Sequence, residues 1–121
     1  MAKRILVVDD DKEIRDIVAF VLVRHGYMVE GAANGQQLQQ HLAMQLPDLI
    51  ILDVTMPGTD GYALLRKVRN HPSTSHIPVM IITGHVEDIY ERISADLGAA
   101  YHLTKPFHPL ELVEKVQTLM D

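Results

Sequence analysis

Acidic, hydroxyl and ammonium side chains stand at the ends of four short apolar runs in this chain of 121 residues. Asp9 and Asp10 follow the first run, Asp53 ends a later one, and Thr83 and Lys105 follow two more. The segment LIILDVTMPGTDG places the Asp53 carboxylate at the end of what looks like a buried strand. Because burying a carboxylate costs several kcal/mol unless it is paired or used, these residues are candidates for one shared site.

Three carboxylates gathered in one place would repel one another and raise the pKa of at least one of them. A hard divalent cation relieves this repulsion; Mg²⁺ commonly binds one or two carboxylates together with phosphate oxygens, and Mn²⁺ is the alternative ion. Lys105 would supply a second positive charge, and Thr83 a hydroxyl group. Such a set suits phosphoryl transfer, in which the remaining carboxylate can act as nucleophile and form an aspartyl-phosphate.

Apolar runs and helical patterns alternate along the whole chain. Runs rich in apolar residues predict five strands, at residues 5–8, 27–32, 49–53, 78–82 and 101–104. Apolar residues that recur every three or four positions predict a helix after each strand. Asp11 and Asn34 are placed as N-caps of the first two helices. The fourth helix has the sparsest apolar stripe, formed by Ile89, Ile93 and Leu97.

This alternation predicts an α/β fold with a parallel sheet that is covered by helices on both faces. Five units are too few for the eight-fold barrel, so an open, doubly wound sheet is expected. The run at 27–32 is interrupted by Glu30 and Gly31, which predicts a strand at a sheet edge. In such sheets ligands bind beyond the carboxyl ends of the strands, where the five polar residues stand.

The composition excludes several classes of protein. It is 47% hydrophobic and 22% charged, which is typical of a globular domain rather than a disordered chain. With 16 acidic and 11 basic residues the formal net charge is −5, so direct nucleic-acid binding is not expected. There is no cysteine, and none of the 7 histidines stands in a zinc-type pattern. No apolar stretch is long enough to span a membrane, and we expect a soluble cytoplasmic domain.

Four motifs in this order resemble the receiver domain of two-component response regulators. They are ILVVDDD at 5–11, LIILDVTMPGTDG at 49–61, VMIITG at 79–84 and LTKPF at 103–107. The resemblance covers essentially the whole chain, so residues 1–121 are expected to form one receiver domain. It implies the flavodoxin-like (βα)5 fold, a three-layer sandwich around a five-stranded parallel sheet of strand order 2-1-3-4-5.

The resemblance also implies a role for each residue of the candidate site. Asp53 is similar to the phospho-acceptor, which also binds Mg²⁺. Asp10 resembles the acid that binds the ion directly, and Asp9 the one that acts through water. The backbone carbonyl of Thr55 would be the remaining protein ligand.

Two further residues would respond to the phosphoryl group. Thr83 resembles the hydroxyl that moves to bind it, and Lys105 the lysine that pairs with it. A cis peptide bond between Lys105 and Pro106 is implied as well. Thr55 and His85, each two residues after a site residue, stand where the family tunes the lifetime of the acyl phosphate.

The chain departs from the family three residues before Lys105, where His102 replaces the usual Tyr or Phe and Tyr101 lies one place earlier. Two interpretations stay open. His102 is either a surface substitution, or an imidazole that fills the aromatic role and makes the active state sensitive to pH.

The function implied is a phosphorylation-operated switch rather than an enzyme acting on other substrates. A histidine kinase or histidine phosphotransfer protein would donate the phosphoryl group to Asp53. The surface around the fourth helix, fifth strand and fifth helix would then change and control a partner, a missing output domain or a homodimer. Candidate contacts there are Ile89, Tyr90, Tyr101 and His102, although Ile89 could equally be a core residue.

Two other functions are compatible with parts of the pattern. An aspartyl-nucleophile, Mg²⁺-dependent phosphatase would also use an acid like Asp53, but such enzymes typically carry a second Asp two residues later, where this chain has Thr55. A receiver that is not phosphorylated and only docks partners would not need the intact acids, Thr83 and Lys105. The sequence leaves open whether the chain is a stand-alone regulator or part of a longer regulator or hybrid kinase.

Overall fold

A computed structural model of the chain describes residues 2–58, 60–84 and 88–120. In this part of the chain five strands and five helices alternate, as the sequence predicts. In chain order they are β1 (Arg4–Val8), α1 (Lys12–Val23), β2 (Met28–Ala32), α2 (Gly35–Met44), β3 (Leu49–Asp53), α3 (Gly61–Asn70), β4 (Val79–Thr83), α4 (Asp88–Asp96), β5 (Tyr101–Thr104) and α5 (Pro109–Met120).

The five strands form one parallel sheet in the order β2-β1-β3-β4-β5. This order confirms the predicted flavodoxin-like fold, and it places β2 at a sheet edge as its interrupted apolar pattern indicates. Adjacent β1 and β3 lie at the point where the chain reverses its direction of winding. A crevice is expected at their carboxyl ends, because the helices that follow β1 and β3 lie on opposite faces of the sheet.

The sheet is packed on both faces, so β3 and β4 are buried along their whole length. On one face, alternate strand residues pack with α2 and α3, through side chains that include Leu38 and Leu65. On the other face, the remaining strand residues pack with α1 and α5, through side chains that include Val18 and Val116. The central strands are therefore the most rigidly held elements, and Asp53 ends one of them.

Polar side chains fix where three of the helices begin. The carboxylate of Asp11 accepts a hydrogen bond from the backbone of Glu13, and the Asn34 side chain accepts one from Gln37. These contacts confirm both predicted N-caps. The sequence analysis did not predict the third cap, in which Asp60 accepts hydrogen bonds from the backbone of Tyr62 and Ala63 and starts α3.

Two details of the sequence prediction were wrong. The fourth strand begins and ends one residue later than predicted, so Thr83 is its last residue rather than the first residue beyond it. The apolar stripe of α4 is buried only at its end, where Leu97 packs against the core, since Ile89 is 56% exposed and Ile93 is 36% exposed. Ile89 is thus a surface residue and not part of the core.

Within the described ranges, none of the helices has the length and apolar character that crossing a bilayer requires.

The start of α3 is pressed against the end of β3 at Gly61. A Cβ atom at this position would lie 2.8 Å from Cβ of Val54 and 3.0 Å from the carbonyl oxygen of Asp53. Since part of the obstruction is backbone, it cannot be relieved by a side-chain rotation. Only glycine lets the helix approach this closely.

We predict that Gly61→Ala lowers the free energy of unfolding by about 2–3 kcal/mol, as overpacking against backbone does. Urea denaturation would measure this. Gly84→Ala is the matched control, because no atom of the described residues other than its chain neighbours lies within 4 Å of the added Cβ there. Equal stability of the two variants would contradict the proposed close packing at Gly61.

Candidate functional site

The site lies at the carboxyl ends of four strands. Asp9 directly follows β1, Asp53 and Thr83 are the last residues of β3 and β4, and Lys105 directly follows β5. Neighbouring strands hold these ends in register, since Asp53 lies opposite Ile82 and Thr83 lies opposite Thr104. The rigid sheet thus brings together side chains that are far apart in the sequence.

Three carboxylates converge at this edge. Asp9 and Asp53 are buried, at 0% and 1% exposure, whereas Asp10 is exposed. One carboxylate oxygen from each of the three lies within 4.8 Å of the others. Two buried acids and one exposed acid therefore form a small, strongly negative pocket that opens to solvent on the side of Asp10.

A single ammonium group pairs with both buried acids. Nζ of Lys105 lies 2.8 Å from Oδ2 of Asp9 and 3.3 Å from Oδ2 of Asp53. The backbone N–H of Lys105 donates a 2.7 Å hydrogen bond to the carbonyl of Thr83, which ties the end of β5 to the end of β4. The peptide bond between Lys105 and Pro106 is cis.

The second oxygen of Asp53 is held by Thr55. Oδ1 of Asp53 accepts hydrogen bonds from the backbone N–H of Thr55, at 2.8 Å, and from its hydroxyl, at 2.6 Å. The sequence predicts a metal-binding role for the backbone carbonyl of Thr55 and an effect of this position on the lifetime of the acyl phosphate, and both stay predictions. Each oxygen of Asp53 therefore has a distinct neighbour, Thr55 for Oδ1 and Lys105 for Oδ2.

The electrostatics of the pocket follow from burial. Burial raises the pKa of Asp9, and the nearby negative charge of Asp53 adds to the increase, while the hydrogen bonds from Lys105 and Asp11 oppose it. Burial opposes the charge on Lys105, but its contacts with Asp9 and Asp53 outweigh this, so the pKa of Lys105 is raised. The ammonium therefore stays protonated while it holds two acids that repel each other.

The donor set fits a hard divalent cation. The three carboxylates offer only oxygen atoms, and one lysine does not balance their charge. Mg²⁺ and Mn²⁺ prefer such oxygen ligands, whereas the nitrogen and sulfur donors that favour zinc are not part of this cluster. The residues present are thus suited to an ion of this class.

The predicted switch residues lie away from the acids, on α4 and β5. Tyr90, Tyr101 and His102 are half-buried and Ile89 is exposed. His102 and Tyr101 line a groove together with Glu91 and Ser94 of α4 and Lys115 of α5. The ammonium of Lys115 lies 4.6 Å from the centre of the Tyr101 ring. His85, the other predicted tuning residue, lies outside the described residues.

One contact to the site has no counterpart among the predictions from the sequence. The guanidinium of Arg15, on α1, donates a 2.7 Å hydrogen bond to the backbone carbonyl of Asp9. An arginine on an amphipathic helix usually lies at the surface, and its spacing from Asp9 carries no signal of a contact with backbone. Only the folded position of α1 beside β2 reveals it.

A five-stranded parallel sheet with paired acids and a lysine at its carboxyl edge places this chain among flavodoxin-like α/β domains, which bind ligands beyond the carboxyl ends of their strands. The pattern of the response regulator receiver domain matches residues 5–117 of this chain. The chain therefore belongs to the response regulator receiver domain family, which functions in two-component signalling.

Named relatives support this assignment. The chain is 38% identical over 118 residues to the regulatory protein VanRc of Enterococcus gallinarum, covering 98% of this chain and 50% of that protein. It is 36% identical over 120 residues to the phosphate regulon transcriptional regulatory protein PhoB of Escherichia coli, covering 99% of this chain and 52% of that one. The chain thus spans about half the length of these relatives.

Solved structures agree with the fold. The chemotaxis response regulator CheY4 of Vibrio cholerae superposes with a TM-score of 0.91 at 30% identity, covering 98% of this chain and 99% of that one. The receiver domain of a signal transduction histidine kinase from Syntrophus aciditrophicus gives a TM-score of 0.89 at 34% identity, covering 98% and 90%. Receivers of this shape therefore occur in chains of different organisation.

Lys105 is the residue whose loss should most disturb the pocket. We predict that Lys105→Met lowers the free energy of unfolding at pH 7 by about 3 kcal/mol, because it leaves two buried carboxylates without their cation. The raised pKa of Asp9 means that its ionised form opposes folding. The loss should therefore shrink as the pH falls from about 7 toward about 4 and this acid becomes protonated.

Urea denaturation at several pH values would measure both effects. Lys12→Met is the matched control, because Lys12 pairs with Asp16 at the surface, where the two side chains are 78% and 63% exposed. It should change stability by less than about 1 kcal/mol. A Lys105→Met variant that is as stable as this control at neutral pH would show that the two buried carboxylates do not depend on Lys105 for compensation of their charge.

Proposed function

We propose that residues 1–121 act as a phosphorylation-operated switch in which Asp53 accepts a phosphoryl group from a histidine kinase or histidine phosphotransfer protein. The single observation that carries this proposal is the convergence of the Asp9, Asp10 and Asp53 carboxylates within 4.8 Å. The ammonium of Lys105 forms ion pairs with the two buried carboxylates of this cluster. Family membership supplies the class of function, and this geometry supports the assignment of roles to these residues.

The chemical step uses one oxygen of Asp53 as nucleophile. This oxygen forms a bond to phosphorus while the bond from phosphorus to the donor imidazole nitrogen breaks, and the released imidazole takes a proton from solvent. Asp53 is suited to this because it ends a rigid strand, so little motion is needed to align it. Lys105, beside Oδ2 of Asp53, would offset charge on the transferred group.

Mg²⁺, or Mn²⁺ in its place, would be held by Asp10 and Asp53 directly, by Asp9 through water and by the backbone carbonyl of Thr55. Bound there, the ion would neutralise negative charge on the phosphoryl oxygens. Asp9 also has a second task, because its Oδ2 holds Lys105 and its Oδ1 accepts the N–H of Asp11. Asp9 is thus a shared support for the lysine and for the loop that carries Asp10.

Phosphorylation would be read out at a surface defined by α4, β5 and α5. Thr83 would turn toward the phosphoryl group, and the end of β5 would follow because Lys105 is hydrogen-bonded to the Thr83 carbonyl. Exposed Ile89 with half-buried Tyr90, Tyr101 and His102 would then contact an effector protein, an output domain or a second copy of the chain. The domain would catalyse only its own phosphorylation and dephosphorylation.

Intact-mass analysis after incubation with acetyl phosphate and Mg²⁺ tests the proposal. The chain should gain the mass of one phosphoryl group, only when the ion is present, and Asp53→Asn should gain none. Asp60→Asn is the matched control and should be labelled normally, because Asn also caps a helix. No labelling of the parent chain, or turnover of p-nitrophenyl phosphate without accumulating phosphoprotein, would contradict the proposed function.

The hydroxyl of Thr55 must leave Oδ1 of Asp53 before that oxygen can take another partner. We therefore predict that Thr55→Val is phosphorylated by acetyl phosphate about five-fold faster, the rate equivalent of one net hydrogen bond of about 1 kcal/mol. The decay rate of the phosphoprotein should change as well. Thr55→Ser keeps a hydroxyl and should behave like the parent chain; identical rates in Thr55→Val and the parent would exclude the effect.

His102 lines one groove together with Glu91 of α4, Tyr101 of β5 and Lys115 of α5. If it fills the role of the usual aromatic residue, the phosphorylation-induced change should differ between about pH 6 and about pH 8, because imidazole changes its charge in this range. Amide chemical shifts before and after phosphorylation would measure this. His102→Tyr should remove the difference, and equal changes in the parent at both pH values would favour a passive surface substitution.

A further inference from the structure

Arg15 contacts the backbone of the acidic pocket from outside. It lies near the start of α1, where side chains lean toward the N-terminus of the helix, and its Nη1 donates a 2.7 Å hydrogen bond to the carbonyl oxygen of Asp9. On the other side of the same residue, the N–H of Asp9 donates a 3.0 Å hydrogen bond to Ala32 of β2. Both backbone groups of Asp9 are therefore held.

Gly31 makes this contact possible. A Cβ atom at position 31 would lie 3.1 Å from Cδ of Arg15 and 3.5 Å from its Nε. The stem of Arg15 thus lies flat across the edge strand β2, over the one residue in its path that has no side chain. The glycine that weakens the apolar pattern of β2 is the same residue that lets Arg15 reach the pocket.

The held carbonyl controls the position of Asp10. The carbonyl of Asp9 and the nitrogen of Asp10 belong to one planar peptide unit, so fixing the carbonyl fixes the direction in which the chain enters Asp10. The Asp10 carboxylate is exposed, and none of the hydrogen bonds found among the described residues involves it. Its placement beside Asp53 therefore depends on the backbone that carries it.

We propose that Arg15 is a positioning residue for metal binding, which locks the Asp9–Asp10 peptide so that the Asp10 carboxylate faces the ion, and that Gly31 leaves the Arg15 stem room for this contact. This inference rests on the proposed function and adds to it a residue that touches neither the ion nor the phosphoryl group. Partners that orient metal ligands in this way typically change metal affinity by 10–100-fold.

A simple charge effect predicts the opposite sign. Removing a cation from the neighbourhood of a metal site should tighten Mg²⁺ binding, because like charges repel. Removing a positioning contact should weaken it. The direction in which Arg15→Met changes the affinity for Mg²⁺ thus distinguishes the charge effect from the positioning effect.

Titration calorimetry with Mg²⁺ alone is the test. We expect Arg15→Met to bind the ion about ten-fold more weakly than the parent chain. Arg15→Lys, which keeps the charge without the planar fork, should recover part of the affinity. Arg24→Met removes the same charge from the end of the same helix, where Arg24 lies over the Phe20 ring, and should leave Mg²⁺ affinity unchanged.

Gly31→Ala distinguishes an effect on the position of Arg15 from an effect on the stability of the fold. The added methyl group should displace the Arg15 stem and weaken Mg²⁺ binding, while the urea midpoint stays equal or rises, because alanine is favoured over glycine within a strand. In metal-free protein, amide order parameters of residues 9–11 should fall in Arg15→Met. Saturating Mg²⁺ should restore the rate of labelling by acetyl phosphate in both variants.

The outcomes distinguish failure of the proposed function from failure of the inference about Arg15. Failure of the parent chain to bind Mg²⁺ would overturn the proposed function together with this inference. Normal binding by the parent, with equal or tighter binding by Arg15→Met and unchanged order at residues 9–11, would overturn the inference alone.

Discussion

One ammonium group shared between two buried carboxylates is the interaction on which the site depends. Asp9 and Asp53 lie almost completely out of contact with water, and their charges repel. Lys105 compensates both at once, at 2.8 and 3.3 Å. A buried ion pair of this kind contributes little to stability on its own, since desolvation offsets much of the attraction. The pair is therefore better understood through the negative charge that it leaves for the proposed cation than through stabilisation of the domain.

The parallel sheet makes such a costly arrangement tolerable. β3 and β4 are buried along their full length, so the backbone at Asp53 and Thr83 is fixed by packing on two faces and by neighbouring strands. Close approach of α3 at Gly61 and the caps at Asp11 and Asp60 then fix the loops that follow the strands. The apolar core supplies the stability, and the polar edge is held in place by it. A change of charge at this edge can consequently occur without loss of the fold.

The sequence predicted the fold and the members of the acidic cluster because both depend on local signals. Alternating apolar runs and helical stripes determine a parallel α/β order, and strand ends in such a sheet must meet, which brought Asp9, Asp53 and Lys105 to one edge. Contacts between side chains and groups that only the folded structure brings together carried no such signal. Nothing in the sequence places the Arg15 guanidinium on the Asp9 carbonyl or the Thr55 hydroxyl on Asp53. The stripe of α4 gave a wrong prediction of burial at two positions, because Ile89 and Ile93 have the right spacing for a buried face but are exposed.

The same lysine that balances the charge of the pocket also connects the pocket to the side of the domain formed by α4 and β5. Its ammonium contacts Asp9 and Asp53, and its backbone N–H holds the Thr83 carbonyl, so the ends of β1, β3, β4 and β5 meet through one residue. A new negative group on Asp53 would compete with Asp9 for the ammonium and thereby pull on the end of β5. β5 leads directly from the groove that contains His102, and α4 beside it presents an exposed apolar surface rather than a packed one. In the proposed switch, movement should therefore occur there, because Ile89 and Ile93 of α4 are exposed, whereas α3 buries Leu64, Leu65 and Val68.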